Sequence, residues 1–217
     1  MSQRFDRVVS LGQSCRAKFH LERHWGTARQ NGSDQVLVKT VFDWQVTPNE
    51  TLLVYMANDF RGMMERADLG YRDGRVVNNR YGTLHLHDFP PNPVLADHFD
   101  ASRSRHDHLC ARTRDAFASP LTTLFVRYET MSPHSERRLR RSIARLRAGR
   151  PFRLAVISDD GQTPTDPSQD WQGNWHHWDA ELARFEIATE GPVRSSFTTN
   201  LRMAMGRAAA SIRPRRS

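Results

Sequence analysis

Three successive segments in the second half of the chain restrict its fold more than any other feature. Leu121-Thr122-Thr123-Leu124-Phe125-Val126-Arg127-Tyr128 is rich in β-branched and aromatic residues and predicts a strand. Residues 135–148 carry Leu139, Ile143 and Leu146 on one face among arginines, which predicts an amphipathic helix, and Phe152 to Ser158 predicts a second strand. A strand, a helix and a strand with short links normally form a right-handed crossover that makes the two strands parallel. The expected class is α/β: a single three-layer domain with a mainly parallel central sheet flanked by helices. At 217 residues the chain can build one sizeable core, and the expected division is one domain over 1–200 and a basic tail over 201–217.

The start of the chain fits the same architecture. Arg7-Val8-Val9-Ser10-Leu11 reads as a short buried strand, Gly12 as a sharp turn, and Arg16 to Arg23 as a helix. Cys15 then falls in the first helical turn. Unpaired N–H groups and the helix dipole favour an anion there, which lowers a thiol's pKa. The competing reading is a small core residue, because free cysteine is among the most buried types. In parallel sheets, ligands bind outside the carboxyl ends of the strands, where Gln13, Ser14 and Cys15, together with Arg127 and Asp159, would lie. First-turn N–H groups, with Gln13 as a side-chain donor, could form an oxyanion hole.

Further along, Thr47-Pro48-Asn49-Glu50 has the form of a capping box opening a helix that carries Leu52, Leu53, Met56 and Phe60. Residues 70–80 read as a hairpin or a loop around Asp73-Gly74. The alternating run 81–89 predicts a strand with Leu84, Leu86 and Asp88 on one face and His85, His87 and Phe89 on the other. Two histidines on one face suit acid–base work better than metal binding, since a third ligand would have to come from elsewhere. Residues 95–117 read as a helix whose Cys110 is core and whose His98, His106 and His108 lie on a solvated face. Trp171, Trp175 and Trp178 could stack on a sugar or base, or anchor their loop to the core. Residues 182–189 predict a last strand.

Composition narrows the partners. A net charge of +8 favours anionic molecules, but no interleaved aromatic and basic pattern marks a specific nucleic-acid module. The two cysteines are too few for a disulfide scaffold and lack metal-ligand spacing. Neither a phosphate loop nor a dinucleotide fingerprint is present, so no cofactor is expected. No apolar run is long enough for a membrane span and no signal peptide is evident, which gives a cytoplasmic, non-membrane expectation.

Ser10-Leu11-Gly12 with Cys15 and Leu21, then Phe42-Asp43-Trp44, His87-Asp88-Phe89 and Leu124-Phe125-Val126-Arg127, resembles a bacterial family of papain-like cysteine peptidases classed as a domain of unknown function. Its members carry a Ser-Leu-Gly-x-x-Cys start, a Pro-Phe-Asp-Trp block, a His-Asp-Phe or His-x-Phe block and a Leu-Phe-Val-Arg strand. The resemblance spans residues 6–160 and departs at Val41, where the family has proline. It implies a cysteine-dependent hydrolase of the papain-like peptidase type. Cys15 is then the nucleophile and His87 the base, with His85 in reserve, and Asp43 is preferred over Asp88 as the orienting acid. Gln13, Ser14, Trp44, His85, Asp88 and Arg127 are the expected oxyanion and substrate contacts, with no metal. The substrate is a peptide, a glycan or a small acyl compound. Two alternatives stay open: an esterase or acyltransferase on a glycan-linked or small acyl group, and a non-catalytic binding protein for an anionic polymer.

Overall fold

The computed structural model describes residues 4–26, 36–158 and 167–188. In chain order these form β1 (Arg4–Phe5), β2 (Arg7–Ser10), α1 (Cys15–Trp25), β3 (Leu37–Val38), α2 (Asn49–Ala57), β4 (Leu69–Arg72) and β5 (Arg75–Asn78). There follow β6 (Leu84–His85), α3 (Leu95–Ala118), β7 (Thr123–Tyr128), α4 (Pro133–Arg147), β8 (Phe152–Ile157), α5 (Trp175–Leu182) and β9 (Glu186–Ile187). Asp159, the polar loop as far as residue 166 and the basic tail lie outside the described residues.

The main sheet has the order β3-β2-β7-β8, and every neighbouring pair is parallel, as the strand–helix–strand pattern requires. β7 is its most buried strand, closed in all but Tyr128. Alternate residues separate into two clusters, because side chains in a strand point to opposite faces. Val9, Phe125 and Leu154 pack with Leu52, Tyr55 and Met56 of α2, Leu109 and Phe117 of α3, and Leu139 and Ile143 of α4. Val8, Leu124, Val126, Ala155 and Ile157 pack with Ala17 and Leu21 of α1 and Trp178 and Leu182 of α5.

Local chemistry sets the ends of α4. Ser132 Oγ accepts from the Ser135 N–H (3.1 Å), Pro133 occupies the first turn, and Ala148 exits in the left-handed region (φ 48°). Its last residue, Arg147, is fully buried. The guanidinium donates to the carbonyls of Phe117 (3.1 Å), Ser119 (2.7 Å), Leu121 (2.7 Å) and Pro151 (2.9 Å). One cation thus satisfies carbonyls where α3 ends and where β7 and β8 begin.

The sheet content is not wholly parallel. β4, β5 and β6 form a separate antiparallel sheet, and β4–β5 is the expected hairpin, with Asp73 (φ 49°) and Gly74 (φ 70°) at its tip. The run 81–89 departs from expectation: only Leu84–His85 is strand, and the chain turns from Leu86 onward. The capping box is absent. α2 begins at Asn49 behind Pro48 with no side-chain cap, since Thr47 is buried and Glu50 reaches Arg138 of α4 (2.8 Å). The strand expected over 182–189 shrinks to β9, which pairs in parallel with β1. Among the described residues no helix is long and apolar enough to cross a membrane.

Candidate active site

The turn after β2 lies at the carboxyl end of the parallel sheet and is tied to β7. Leu11 N–H donates to Val126 O (2.8 Å), and Tyr128 N–H donates to Gly12 O (2.9 Å). Gly12 adopts φ +73°, and a Cβ there would meet Phe42 O at 3.2 Å, so glycine is needed for both its backbone angle and its close approach. Arg127, expected to line the cleft, lies beneath it instead. It is fully buried and donates to Leu11 O (2.7 Å), Thr47 O (2.8 Å) and Asn49 Oδ1 (2.8 Å), and it pairs with Glu129 (2.6 Å). Its role is to clamp the turn to the segment before α2.

Ser14 caps α1, its Oγ accepting from Arg16 N–H (3.3 Å), which makes Cys15 the first helical residue. Cys15 is half-buried and free. Burial pushes its thiol up from the ordinary value, against the opposing effects of its own backbone N–H and the Arg16 charge. The lowered pKa expected from the helix start is therefore reversed by desolvation. Gln13 contributes its backbone: Gln13 O accepts from Thr47 N–H (2.8 Å). Arg16 reaches across to the Tyr128 hydroxyl and to the carbonyls of Asp170 (2.7 Å) and Trp171 (2.6 Å).

One turn after Cys15, Lys18 is buried and pairs with Asp43 (3.4 Å) and Glu22 (3.6 Å). Asp43 is fully buried, and it also accepts from Thr40 N–H (3.0 Å) and Thr40 Oγ1 (2.9 Å). Its burial raises its pKa more than Lys18 and Thr40 lower it. Among the described residues no hydrogen bond or ion pair joins Asp43 to a histidine, and its partners make it a turn-closing acid beside α1. Position 41 also has a purpose here. The Val41 N–H donates to Thr113 Oγ1 (3.1 Å), a bond that proline could not make.

The two histidines expected on one face are separated by the turn at Leu86. His87 is exposed, with its ring edge-on to half-buried Trp44 (5.3 Å). His85 is fully buried, and its Nδ1 lies 2.8 Å from Asp88 Oδ2, so the acid–imidazole pair of this segment is Asp88 with His85. The turn brings Asp88 back over the residue three before it. Among the described residues, His85 Nε2 is buried with no hydrogen-bond partner. Beside it (ring centroids 6.2 Å) is buried His106, which shares a hydrogen bond with Tyr55 Oη (3.0 Å) and lies 3.6 Å from Cys110 Sγ. Burial and the neighbouring His85 push His106 down to about 4, and burial pushes the Cys110 thiol up to about 12.

His106 was not legible as an internal residue, although its spacing of four from Cys110 marks a shared helix face. The segment 44–47 joins the two neighbourhoods. Thr47 N–H holds Gln13, Gln45 Nε2 donates to Thr47 Oγ1 (3.0 Å) and Tyr55 Oη (3.3 Å), and Val46 pairs with Leu84. Contacts thus run from the Cys15 helix through Lys18, Asp43 and Trp44 to His87. No hydrogen bond joins Cys15 to His87 among the described residues. Of the tryptophans, Trp178 is buried and stacked on His20 (4.5 Å), whereas Trp171 and Trp175 are exposed around Phe19. Among the described residues no group of three or more histidine, cysteine or acidic side chains is arranged to hold a metal. No family model, curated protein or solved structure matches the chain.

Proposed function

We propose that this chain is a cysteine-dependent acyl hydrolase or acyl transferase, built as one three-layer α/β domain, with Cys15 as nucleophile and His87 as base. The two clusters on alternate residues of β2, β7 and β8 support that layering. The observation that carries the functional reading is the placement of Cys15: the first residue of α1, directly after β2, half-open at the carboxyl end of a parallel sheet. First-turn N–H groups of α1 would be the donors for an oxyanion on an acyl group attached there. The resemblance to the papain-like family points to the same cysteine and the same histidine.

In the reaction, Cys15 Sγ bonds to the acyl carbon, its proton passes to the imidazole, and the leaving group departs with that proton. Water or an acceptor hydroxyl then attacks the thioester and returns the thiol. His87 is exposed on a turn against Trp44 and makes no hydrogen bond to the thiol among the described residues, so in this scheme the base engages Cys15 in the substrate complex. Asp43 has no part in orienting the ring. A peptide, an ester or a glycan-linked acyl group all satisfy this scheme.

The test is acyl trapping. The full chain is incubated with peptide thioesters and small aryl esters, and intact-mass analysis locates the adduct. We expect an adduct on Cys15 in wild type and Cys110→Ala, none in Cys15→Ser, and acylation slower by about 10²–10⁴-fold in His87→Ala, the usual worth of a general base. No adduct on Cys15 with any activated acyl donor, or an unchanged rate in His87→Ala, overturns the proposal.

A further inference from the structure

We propose that the open cleft between the start of β5, the turn after β6 and the first half of α3 binds a small organic anion through a carboxylate or phosphate group. The cleft holds about 330 Å³, near the lower end of small-molecule pockets, so it suits one compact ligand and not a polymer. Arg75, His87, His98 and Arg105 line it, with Leu86 and Phe89 contributing an apolar wall. Neither arginine has a carboxylate partner among the described residues, and each makes only a long bond to a carbonyl: Arg75 to Leu86 O (3.4 Å) and Arg105 to Asp88 O (3.5 Å). These long contacts leave most of each guanidinium's donors for a ligand, and its planar fork matches carboxylate and phosphate geometry.

The lining's one acid does not oppose this. Asp88 is turned to His85 at 2.8 Å, with its side chain 10% exposed. The walls are also held in place. Asn92 N–H donates to Gly74 O (2.8 Å), tying the hairpin tip to the loop after β6, and Ser102 Oγ of α3 donates to Asp88 O (2.5 Å). The cleft's backbone walls are therefore in place before binding, and the ordering that remains is that of the two arginine side chains. The binding site stands on these contacts alone. Its use as a substrate subsite, placing an acyl donor's anionic end beside His87, rests on the function proposed above.

The experiment is a titration of the full-length protein with inorganic phosphate and with sodium benzoate at constant ionic strength, followed by amide and histidine-ring NMR signals. We expect saturable shifts at positions 75, 87, 98 and 105, and about tenfold weaker binding in Arg75→Gln and in Arg105→Gln, whose folding is checked by thermal melting. The stronger of the two probes assigns the group as phosphate or carboxylate. Absence of saturable shifts with both probes, shifts centred instead on Arg138, Arg141 and Arg145 between α2 and α4, or arginine variants that bind like wild type each overturn the site. Binding that persists unchanged in Cys15→Ser, with no acyl adduct formed in wild type, keeps this site and removes only the catalytic reading.

Discussion

The two cysteines of this chain divide between them the properties that a nucleophile needs together. Cys110 has an imidazole 3.6 Å away, but it lies in the interior of α3 within the packed face of α2, α3 and α4, and burial pushes its thiol up to about 12. Cys15 has the open position, the helix start and the sheet's carboxyl edge, yet no imidazole bonds to it. A cysteine–histidine contact is therefore a poor guide to reactivity when both partners are dry. Low dielectric favours the neutral thiol and the neutral ring, so proximity yields no ion pair. On the function proposed above, placement therefore comes before pairing.

The sharpest way to break that contrast is chemical. At pH 8, a pKa of about 12 leaves roughly one Cys110 in ten thousand as thiolate, and its sulfur is reached only by opening of the core. Iodoacetamide under native conditions should label Cys15 at least about a thousandfold faster than Cys110, read by peptide mass spectrometry. Comparable rates would show that α3 opens readily and that the two sites are alike.

The next effect concerns what supports each cysteine. Under Cys15 the support is ionic, Lys18 with Asp43; around Cys110 it is a neutral network of His106, Tyr55 and Gln45. Asp43→Ala leaves Lys18 buried with only Glu22 nearby and strips Thr40 of its acceptor, which should cost about 3 kcal/mol in urea unfolding. Lys18→Met combined with Asp43→Asn should restore most of the loss, since the charge is removed and the Thr40 acceptor kept. A loss below about 1 kcal/mol in Asp43→Ala would mean that the pair is solvated.

Acid should then separate the two supports by sign. His106 is held down to about 4 from 6.5, so its neutral form stabilises the fold above the unfolded value, and that stability drains away as pH falls through 6.5 toward 4. Between pH 7 and pH 5 this amounts to about 2 kcal/mol. His106→Gln should flatten the stability–pH curve by that much, measured by urea melts. Asp43 works in the opposite direction: its raised folded pKa gives stability at low pH that is lost as pH rises through that value. Asp43→Asn should therefore steepen the acid-side loss, and a flattening would contradict the assignment.

These contrasts also explain what could be read from residues alone. The parallel order of β2, β7 and β8, the hairpin at Asp73-Gly74 and the helical start at Cys15 follow from local spacing, which survives burial. The chemistry of the site depends on depth, which spacing does not encode. Dipole reasoning lowers the Cys15 pKa, but half-burial reverses the sign. Alternation put His85 and His87 on one face, but the turn at Leu86 sends one into the core and leaves the other outside, and it hands Asp88 to His85. Asp43 read as an orienting acid through the family resemblance, while its partner Lys18 lies on a different element, 25 residues earlier, where spacing does not show it. His106, among charged neighbours, read as surface because the face it shares with Cys110 is recognisable only once α3 has somewhere to pack.

The smallest effect expected is the one that tests placement before pairing most directly. In the resting protein no hydrogen bond links Cys15 with His87, and the groups that act on the thiol are its burial, its own backbone N–H and Arg16. The pH midpoint of Cys15 alkylation should accordingly lie above that of an unhindered cysteine peptide. His87→Ala should move it by less than about half a pH unit, because an imidazole that makes no bond to a thiol contributes little to its ionisation. On the function proposed above, the same substitution should slow acylation by a substrate by orders of magnitude, because the ring then serves as base in the substrate complex. A midpoint below the peptide's that climbs by a unit or more in His87→Ala would mean that the thiolate–imidazolium pair is assembled before substrate arrives, and the separation drawn between the two cysteines would collapse to a difference in solvent access.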